Sequence, residues 1–197
     1  ASLVGSEMCI RDSYMTLQES NEIGWFSLSN PPDVLQNKIT FTNPEHEPDG
    51  IWLNEAGTLV CTAGEYDGTI GVHTLDASGK PSTQLFIRLA DDLPSNWDWD
   101  DKRKGIEPEE VVIAEAGGKS FVLTTLQDAG AVVVYDITDP ANPKYDSGAI
   151  TELNDYTSQT DGESIGEPEG LAFKNGYVLV SNGDDPSVAL LKSSWAK

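Results

Sequence analysis

Hydrophobic positions along this chain fall in short runs, not in long stripes. Val111-Val112-Ile113, Phe121-Val122-Leu123 and Ala131-Val132-Val133-Val134-Tyr135 are separated by Gly117-Gly118 and by Gln127-Asp128-Ala129-Gly130. Runs of this length, rich in Val, Ile, Phe and Tyr and bounded by Gly, Asn, Asp and Pro, predict β-strands and not helices. A fourth run, Tyr145 to Ile150, follows the Asp139-Pro140-Ala141-Asn142-Pro143 turn, so the segment predicts a four-stranded antiparallel unit.

The unit recurs. Glu47-Pro48-Asp49-Gly50, Glu107-Pro108-Glu109-Glu110 and Glu167-Pro168-Glu169-Gly170 each open a copy, and each copy begins sixty residues after the one before. A constant period marks a repeat architecture, and one small antiparallel sheet per repeat is the blade of a β-propeller. The expected fold is all-β: a partial propeller of three to four four-stranded blades with WD40/YVTN-like repeats, an arc and not a closed ring. Its expected units are a part blade at 14–42, blades at 47–90 and 107–150, and an incomplete blade at 167–192. In the second unit the predicted strands run from Gly50 to Leu53, Thr58 to Thr62, Thr69 to Leu75 and Thr83 to Leu89.

Residues 1–13, ASLVGSEMCIRDS, stand outside this grammar and are similar to a translated sequencing-adaptor read. They are expected to be a non-native tail that packs against nothing. Cys9 goes with them and leaves Cys61, among apolar strand residues, as a small buried hydrophobe. No C-x-x-C pair exists, which argues against a disulfide framework or a Cys-rich zinc site.

Charge changes the picture at the loops. With 33 acidic against 12 basic residues the formal charge is −21, which argues against nucleic acid and anionic membranes as partners. No apolar run reaches the ~18 residues of a membrane-spanning helix. Antiparallel order places Glu47, Asp49, Glu65 and Asp67 on one face with Glu107, Glu109 and Asp128, with Glu167, Glu169, Asp184 and Asp185, and with Glu19 of the part blade. Converging carboxylates repel one another, and a hard divalent cation with oxygen ligands relieves this. Glu47, Asp49, Glu107, Glu109, Glu167 and Glu169 are therefore candidate ligands of Ca²⁺ at the mouth of the propeller channel. The other reading is architectural, with Pro fixing φ and the acids capping a tight turn at each blade entrance.

A second candidate lies in Asn96-Trp97-Asp98-Trp99-Asp100-Asp101, where aromatics and acids alternate. Trp97, Asp98, Trp99, Asp100 and Asp101 can grip a sugar or a basic ligand, or pin a long insertion onto the blades. His46, before a blade entrance on the acidic face, is expected as a solvated loop residue, with a ligand or base as the other reading, and His73 as a packed or edge-exposed strand residue. Neither a Gly-x-Ser-x-Gly elbow nor a phosphate-binding Gly-rich loop occurs.

With these residues in hand, the chain from Tyr14 to about Leu191 resembles the choice-of-anchor I family of bacterial secreted or surface-tethered β-propellers. The resemblance rests on Tyr14-Met-Thr-Leu-Gln-Glu-Ser-Asn21, Asp100-Asp101-Lys102 leading into Glu107-Pro108-Glu109, Val134-Tyr135-Asp136-Ile137-Thr138-Asp139-Pro140-Ala141-Asn142-Pro143, and Glu167-Pro168-Glu169-Gly170-Leu171-Ala172-Phe173. It departs from the pattern at Glu110, where Gly is usual, and at Ser181-Asn182-Gly183-Asp184. The resemblance implies the C-terminal portion of a longer protein that is extracellular, cell-surface or periplasmic. It also implies a binding module for an extracellular protein, polysaccharide or small molecule. The alternative it implies is a Ca²⁺-dependent phosphoesterase of the alkaline phosphatase kind, since some members carry that name.

Overall fold

The computed structural model describes residues 3–5, 12–27, 37–93, 106–146, 151–152, 167–183 and 188–193. Four antiparallel sheets succeed one another along the chain, and none closes on itself. The first holds β1 (Leu3–Gly5), β2 (Asp12–Leu17), β3 (Glu22–Ser27) and β4 (Asn37–Thr40). The second holds β5 (Pro48–Leu53), β6 (Leu59–Gly64), β7 (Thr69–Leu75) and β8 (Pro81–Arg88). The third is built on β9 (Pro108–Ala116), β10 (Lys119–Leu126) and β11 (Ala131–Asp136), with the short strands β12 (Lys144–Tyr145) and β13 (Thr151–Glu152) both on β11. The fourth has three strands, β14 (Pro168–Lys174), β15 (Tyr177–Asn182) and β16 (Val188–Lys192). This is the expected all-β, propeller-type arrangement, and the helical elements among the described residues are two single 3₁₀ turns, Gln18–Ser20 and Leu89–Asp91. Among the described residues no helix is long and apolar enough to cross a membrane.

Successive sheets stack face to face, so a middle sheet buries both faces and its strands read as continuous apolar runs. Every residue of β6 is buried, for instance. Alternate residues of the third sheet serve opposite neighbours: Val111, Ile113, Val122, Val133 and Tyr135 pack on Cys61, Ile70, Val72 and Ile87 of the second sheet. Val112, Ala114, Phe121, Leu123, Val132 and Val134 pack on Leu171, Val178, Val180 and Leu191 of the fourth. Tyr14, Ile23 and Trp25 of the first sheet meet Ile51, Leu53 and Val60 of the second.

The structure corrects the sequence reading in three places. Leu3–Gly5 does not stand apart: it pairs with β2 through Leu3↔Met15, Val4↔Tyr14 and Gly5↔Ser13, in the inner position that the Glu-Pro strands occupy elsewhere. An unpaired β2 edge and a short apolar Leu-Val-Gly segment complete each other's backbone hydrogen bonds. The fourth strand of the third sheet breaks at Asp146, after β12, and β13 pairs with the opposite end of β11; residues 147–150 of the expected run lie outside the described residues. The inner strands also begin earlier than predicted, at Pro48, Pro108 and Pro168 themselves. Proline is tolerated as the first residue of a strand, where its missing donor breaks no ladder.

Candidate functional site

Each Glu-Pro step is a backbone device before it is a chemical one. Glu47, Glu107 and Glu167 all take positive φ, at 43°, 41° and 55°. For a non-glycine residue this is a sparsely populated region that surrounding structure must hold in place. The Glu107 carbonyl accepts from the Gln127 amide at 2.9 Å, and the Glu167 carbonyl accepts from the Gly183 amide at 3.0 Å. At the first entrance the Glu47 amide donates to Asn21 Oδ1 at 3.0 Å. One backbone group at each entrance is thus anchored before the strand starts.

Immediately after the proline, each inner strand carries a β-bulge. Pro48 pairs with Gly64 but Ile51 pairs with Thr62, so Asp49 and Gly50 oppose Ala63 alone. Pro108 pairs with Leu126 and Val111 with Thr124, leaving Glu109 and Glu110 opposite Thr125. Pro168 pairs with Asn182 and Gly170 with Ser181, leaving Glu169 as the extra residue. A bulge turns its residues out of the regular alternation, and here it sets an acid at the same rim of three successive sheets. Its carbonyl is held by the preceding sheet: Thr16 Oγ1 donates to the Asp49 carbonyl at 2.9 Å and Thr125 Oγ1 to the Glu169 carbonyl at 3.3 Å.

Between the second and third sheets the side chains converge. The Glu109 carboxyl hydrogen-bonds Asp49, and the Glu65 and Glu107 carboxylates lie close enough to act on it. Burial first, then the bond to Asp49 and these neighbouring charges, push Glu109 up to about 8. At neutral pH the Glu109 carboxyl therefore keeps its proton. Gln127, its amide oriented to donate, reaches Glu109 Oε1 and Glu107 Oε2, each at 3.2 Å. Gln18 Nε2 donates to Glu65 Oε2.

Glu110 sits on the other side of the bulge, its carboxylate accepting from the Val111 amide at 2.9 Å. Burial, with Asp49 adding to it, pushes Glu110 up to about 7. Its backbone and carboxylate lie so close over Gly50 that a Cβ there would meet Glu109 O at 2.5 Å and Glu110 Cα at 2.8 Å. Glycine at 50 is what lets the third sheet's bulge seat on the second.

Of the six predicted ligands, the structure gathers Asp49, Glu109 and Glu107, and adds Glu65, Gln127 and Gln18. Glu169 is exposed, its carboxylate lying over Gly183, and Glu47 and Glu167 serve as entrance residues. Asp67 belongs elsewhere: it accepts from Thr69 Oγ1 at 2.6 Å and from Asn43 Nδ2. Glu19 is exposed in the first 3₁₀ turn and Asp128 is half-buried. The oxygen-rich donor set suits a hard cation, yet among the described residues no three His, Cys, Asp or Glu side chains are arranged as a metal centre. Trp97, Asp98, Trp99, Asp100 and Asp101, with Asp184 and Asp185, lie outside the described residues.

His46 is not the solvated loop residue expected from the sequence; it is fully buried. Its Nδ1 meets Thr69 Oγ1 at 2.8 Å and its Nε2 meets Thr62 Oγ1 at 2.7 Å. Phe41 and Phe86 close around it, and Phe41 also stacks on His73 at 5.0 Å. Burial lowers both imidazoles; facing His46, His73 falls to about 3. These are neutral structural histidines. Cys61 is fully buried as expected, and burial raises its thiol far above the usual range.

No protein-family model matches the chain, and no curated protein matches it. Solved structures do. A periplasmic gluconolactonase from Pseudomonas aeruginosa is similar over 100% of this chain and 51% of its own, at 17% identity and a TM-score of 0.64. A protein from Lactobacillus plantarum is similar over 96% and 50%, at 17% identity and a TM-score of 0.67. Virginiamycin B lyase from Staphylococcus aureus is similar over 96% and 54%, at 16% identity and a TM-score of 0.51. These likenesses establish a β-propeller type of fold, of which the chain spans about half the length of the solved neighbours.

Proposed function

We propose that the protein is a β-propeller binding module whose bulged acidic rim takes a divalent cation, with Ca²⁺ the best match to its oxygen donors. The observation carrying this reading is the pair of equivalent bulges that brings Glu109, raised enough to keep its proton at neutral pH, against Asp49 with Glu65 and Glu107 beside it. Cation binding then takes the form of an exchange, in which the ion displaces that proton and draws on the surrounding carboxylates. Asp49, Glu107, Glu109 and Glu65 are the residues that would hold the ion, with Gln18 and Gln127 orienting them. The resemblance to choice-of-anchor I proteins supports placing this module outside the cytoplasm, with a protein, polysaccharide or small-molecule partner. Calcium titration of unbuffered protein near neutral pH is the test: proton release in step with binding is expected, and Glu109→Gln is expected to abolish the release. Heats and pH traces identical with and without the ion leave the acids as turn caps alone.

A second reading is enzymatic, and the same pair favours it. A carboxyl kept protonated beside a carboxylate is equipped for general acid–base work, with Glu109 protonating a leaving oxygen and Asp49 taking a proton from water. The solved neighbours include a named gluconolactonase and a named lyase. A phosphoesterase needs cationic groups for its substrate, and the nearest by sequence, Lys102, Arg103 and Lys104, lie outside the described residues. Assay of lactone and phosphate-ester hydrolysis, with and without Ca²⁺, separates the readings: turnover lost in Glu109→Gln favours the enzyme.

A further inference from the structure

The inner strands carry a second constellation at the end opposite their acidic bulges. A recess of about 470 Å³ opens where β5, β9 and β14 finish, walled by Trp52 and Glu55 from the second sheet and its turn, by Ile113 and Glu115 from the third, and by Phe173 and Lys174 from the fourth. Sites for small molecules are usually about 300–1,000 Å³ in size.

Register explains why the space is left. Trp52 pairs with Cys61 as Val112 pairs with Leu123, so Trp52 faces the third sheet just as Val112 faces the fourth. Phe173 shares the face of Leu171, which is turned back onto the third sheet. Both aromatics pack on the cluster of Val112, Ala114 and Phe121, yet each stays half-buried. Between them β9 ends at Ala116 and turns at Gly117; both line the recess and carry too little side chain to fill it. Two aromatic rings from different sheets thus remain partly uncovered across a gap made by small residues. The recess lies among sheets that this chain itself supplies, and not on the outer face of the last one.

The charges sort by wall. Glu115 shares the face of Ile113 that meets the second sheet, and there Asn54 Nδ2 donates to its Oε1 at 3.5 Å. Glu55 follows Asn54 in the adjoining turn, and both carboxylates are exposed to solvent. Lys174 belongs to the far wall, beside Phe173. The wall that carries Trp52 is therefore the anionic one. We propose that the recess binds a small organic ammonium ion, its charged head at Glu55 and Glu115 against the Trp52 ring and its apolar body reaching toward Phe173. An aromatic face attracts a cation, a carboxylate adds a charge-assisted hydrogen bond, and an apolar body covers ring surface that water otherwise meets. An anion of the same shape meets two carboxylates instead. The recess and the acidic rim lie at opposite ends of the same strands, so the two sites are separate.

Calorimetric titration of the whole chain with phenethylamine tests this, beside hydrocinnamate, which has a similar body with the opposite charge, and ethylammonium, which keeps the charge and lacks the ring. Phenethylamine is expected to bind at millimolar concentration or below, hydrocinnamate to give no binding heat, and ethylammonium to bind at least about tenfold more weakly. Glu55→Gln and Glu115→Gln together are expected to weaken phenethylamine by at least about tenfold, whereas Glu169→Gln, on the opposite rim, leaves it unchanged. The two glutamine variants alter exposed positions, and far-ultraviolet circular dichroism matching the parent confirms that they remain folded. A parent chain that gives no heat with phenethylamine overturns the proposal. So does hydrocinnamate binding as tightly, or phenethylamine binding indifferent to the paired glutamine changes.

Discussion

Asp49 and Glu109 hold the same bulge position in successive sheets and meet there through a carboxyl–carboxyl hydrogen bond. A period of sixty residues in the sequence has become a contact between side chains. The contact depends on the bulge, since a regular strand would send alternate residues to opposite faces.

The first prediction concerns pH. Glu109 is raised from 4.5 to about 8 and Glu110 to about 7. Between the ordinary and the raised values the unfolded chain binds fewer protons than the folded one, so stability falls as pH rises. Urea midpoints are expected to decline from pH 6.5 to pH 8, above the range in which the buried histidines oppose the trend. Glu109→Gln, which donates to Asp49 without a titrating proton, is expected to flatten that slope and to be the more stable protein at the alkaline end.

The buried imidazoles act with the opposite sign. Both are lowered from 6.5, and His73 reaches about 3. As pH falls below 6.5 the unfolded chain takes up protons that the folded one refuses, so stability drops toward the acid side. His46→Ala removes its own share of this titration but leaves the Thr62 and Thr69 hydroxyls without their ring partner. At pH 7 it is expected to cost about 2–3 kcal/mol by chemical denaturation. An unchanged midpoint would show that the cage does not depend on the ring.

Gly50→Ala tests how closely the second and third sheets seat. A methyl group there meets backbone atoms at 2.5 and 2.8 Å, and backbone cannot step aside as a side chain can. About 1–3 kcal/mol of destabilisation is expected. Because Glu109 carries one of the obstructing atoms, the alkaline slope is expected to change in the same variant.

Deleting residues 1–11 asks whether β1 contributes. The pairing of Leu3–Gly5 with β2 leads us to expect a lower thermal midpoint and a greater tendency to self-associate, since the deletion bares a strand edge beside buried Tyr14. A midpoint within a degree or so of the parent would return these residues to the status of a passive tail.

Strands and repeat were legible in the sequence because both are written in local spacing. Short apolar runs define strands, and three Glu-Pro steps define the period. That Asp49 and Glu109 hold equivalent positions in successive sheets was legible for the same reason. What was not legible depends on register between strands distant in sequence. The bulge is visible only when Pro108 is seen opposite Leu126 and Val111 opposite Thr124. Glu110 entered the sequence reading as a departure from a Gly pattern, and its role emerges only once Gly50 of the neighbouring sheet is found beneath it. His46 was misread because a histidine between Glu45 and Glu47 has polar neighbours, while its cage comes from Phe41 and Phe86, the latter forty residues away. The Gln18 and Gln127 amides carried no sequence signal beyond following the second strand of their sheets.

The left-handed glutamates have a consequence for how such a chain can change. Each inner strand starts from a fixed point, made of a clamped peptide and a ring-locked proline, that takes no direction from the segment arriving upstream. Before the second such point Leu93 and Ile106 are both buried, which fixes the two ends of the segment between them. Lengthening a loop between fixed ends costs only about 0.6 kcal/mol per doubling. Added length between two such buried ends therefore leaves the sheets on either side in register.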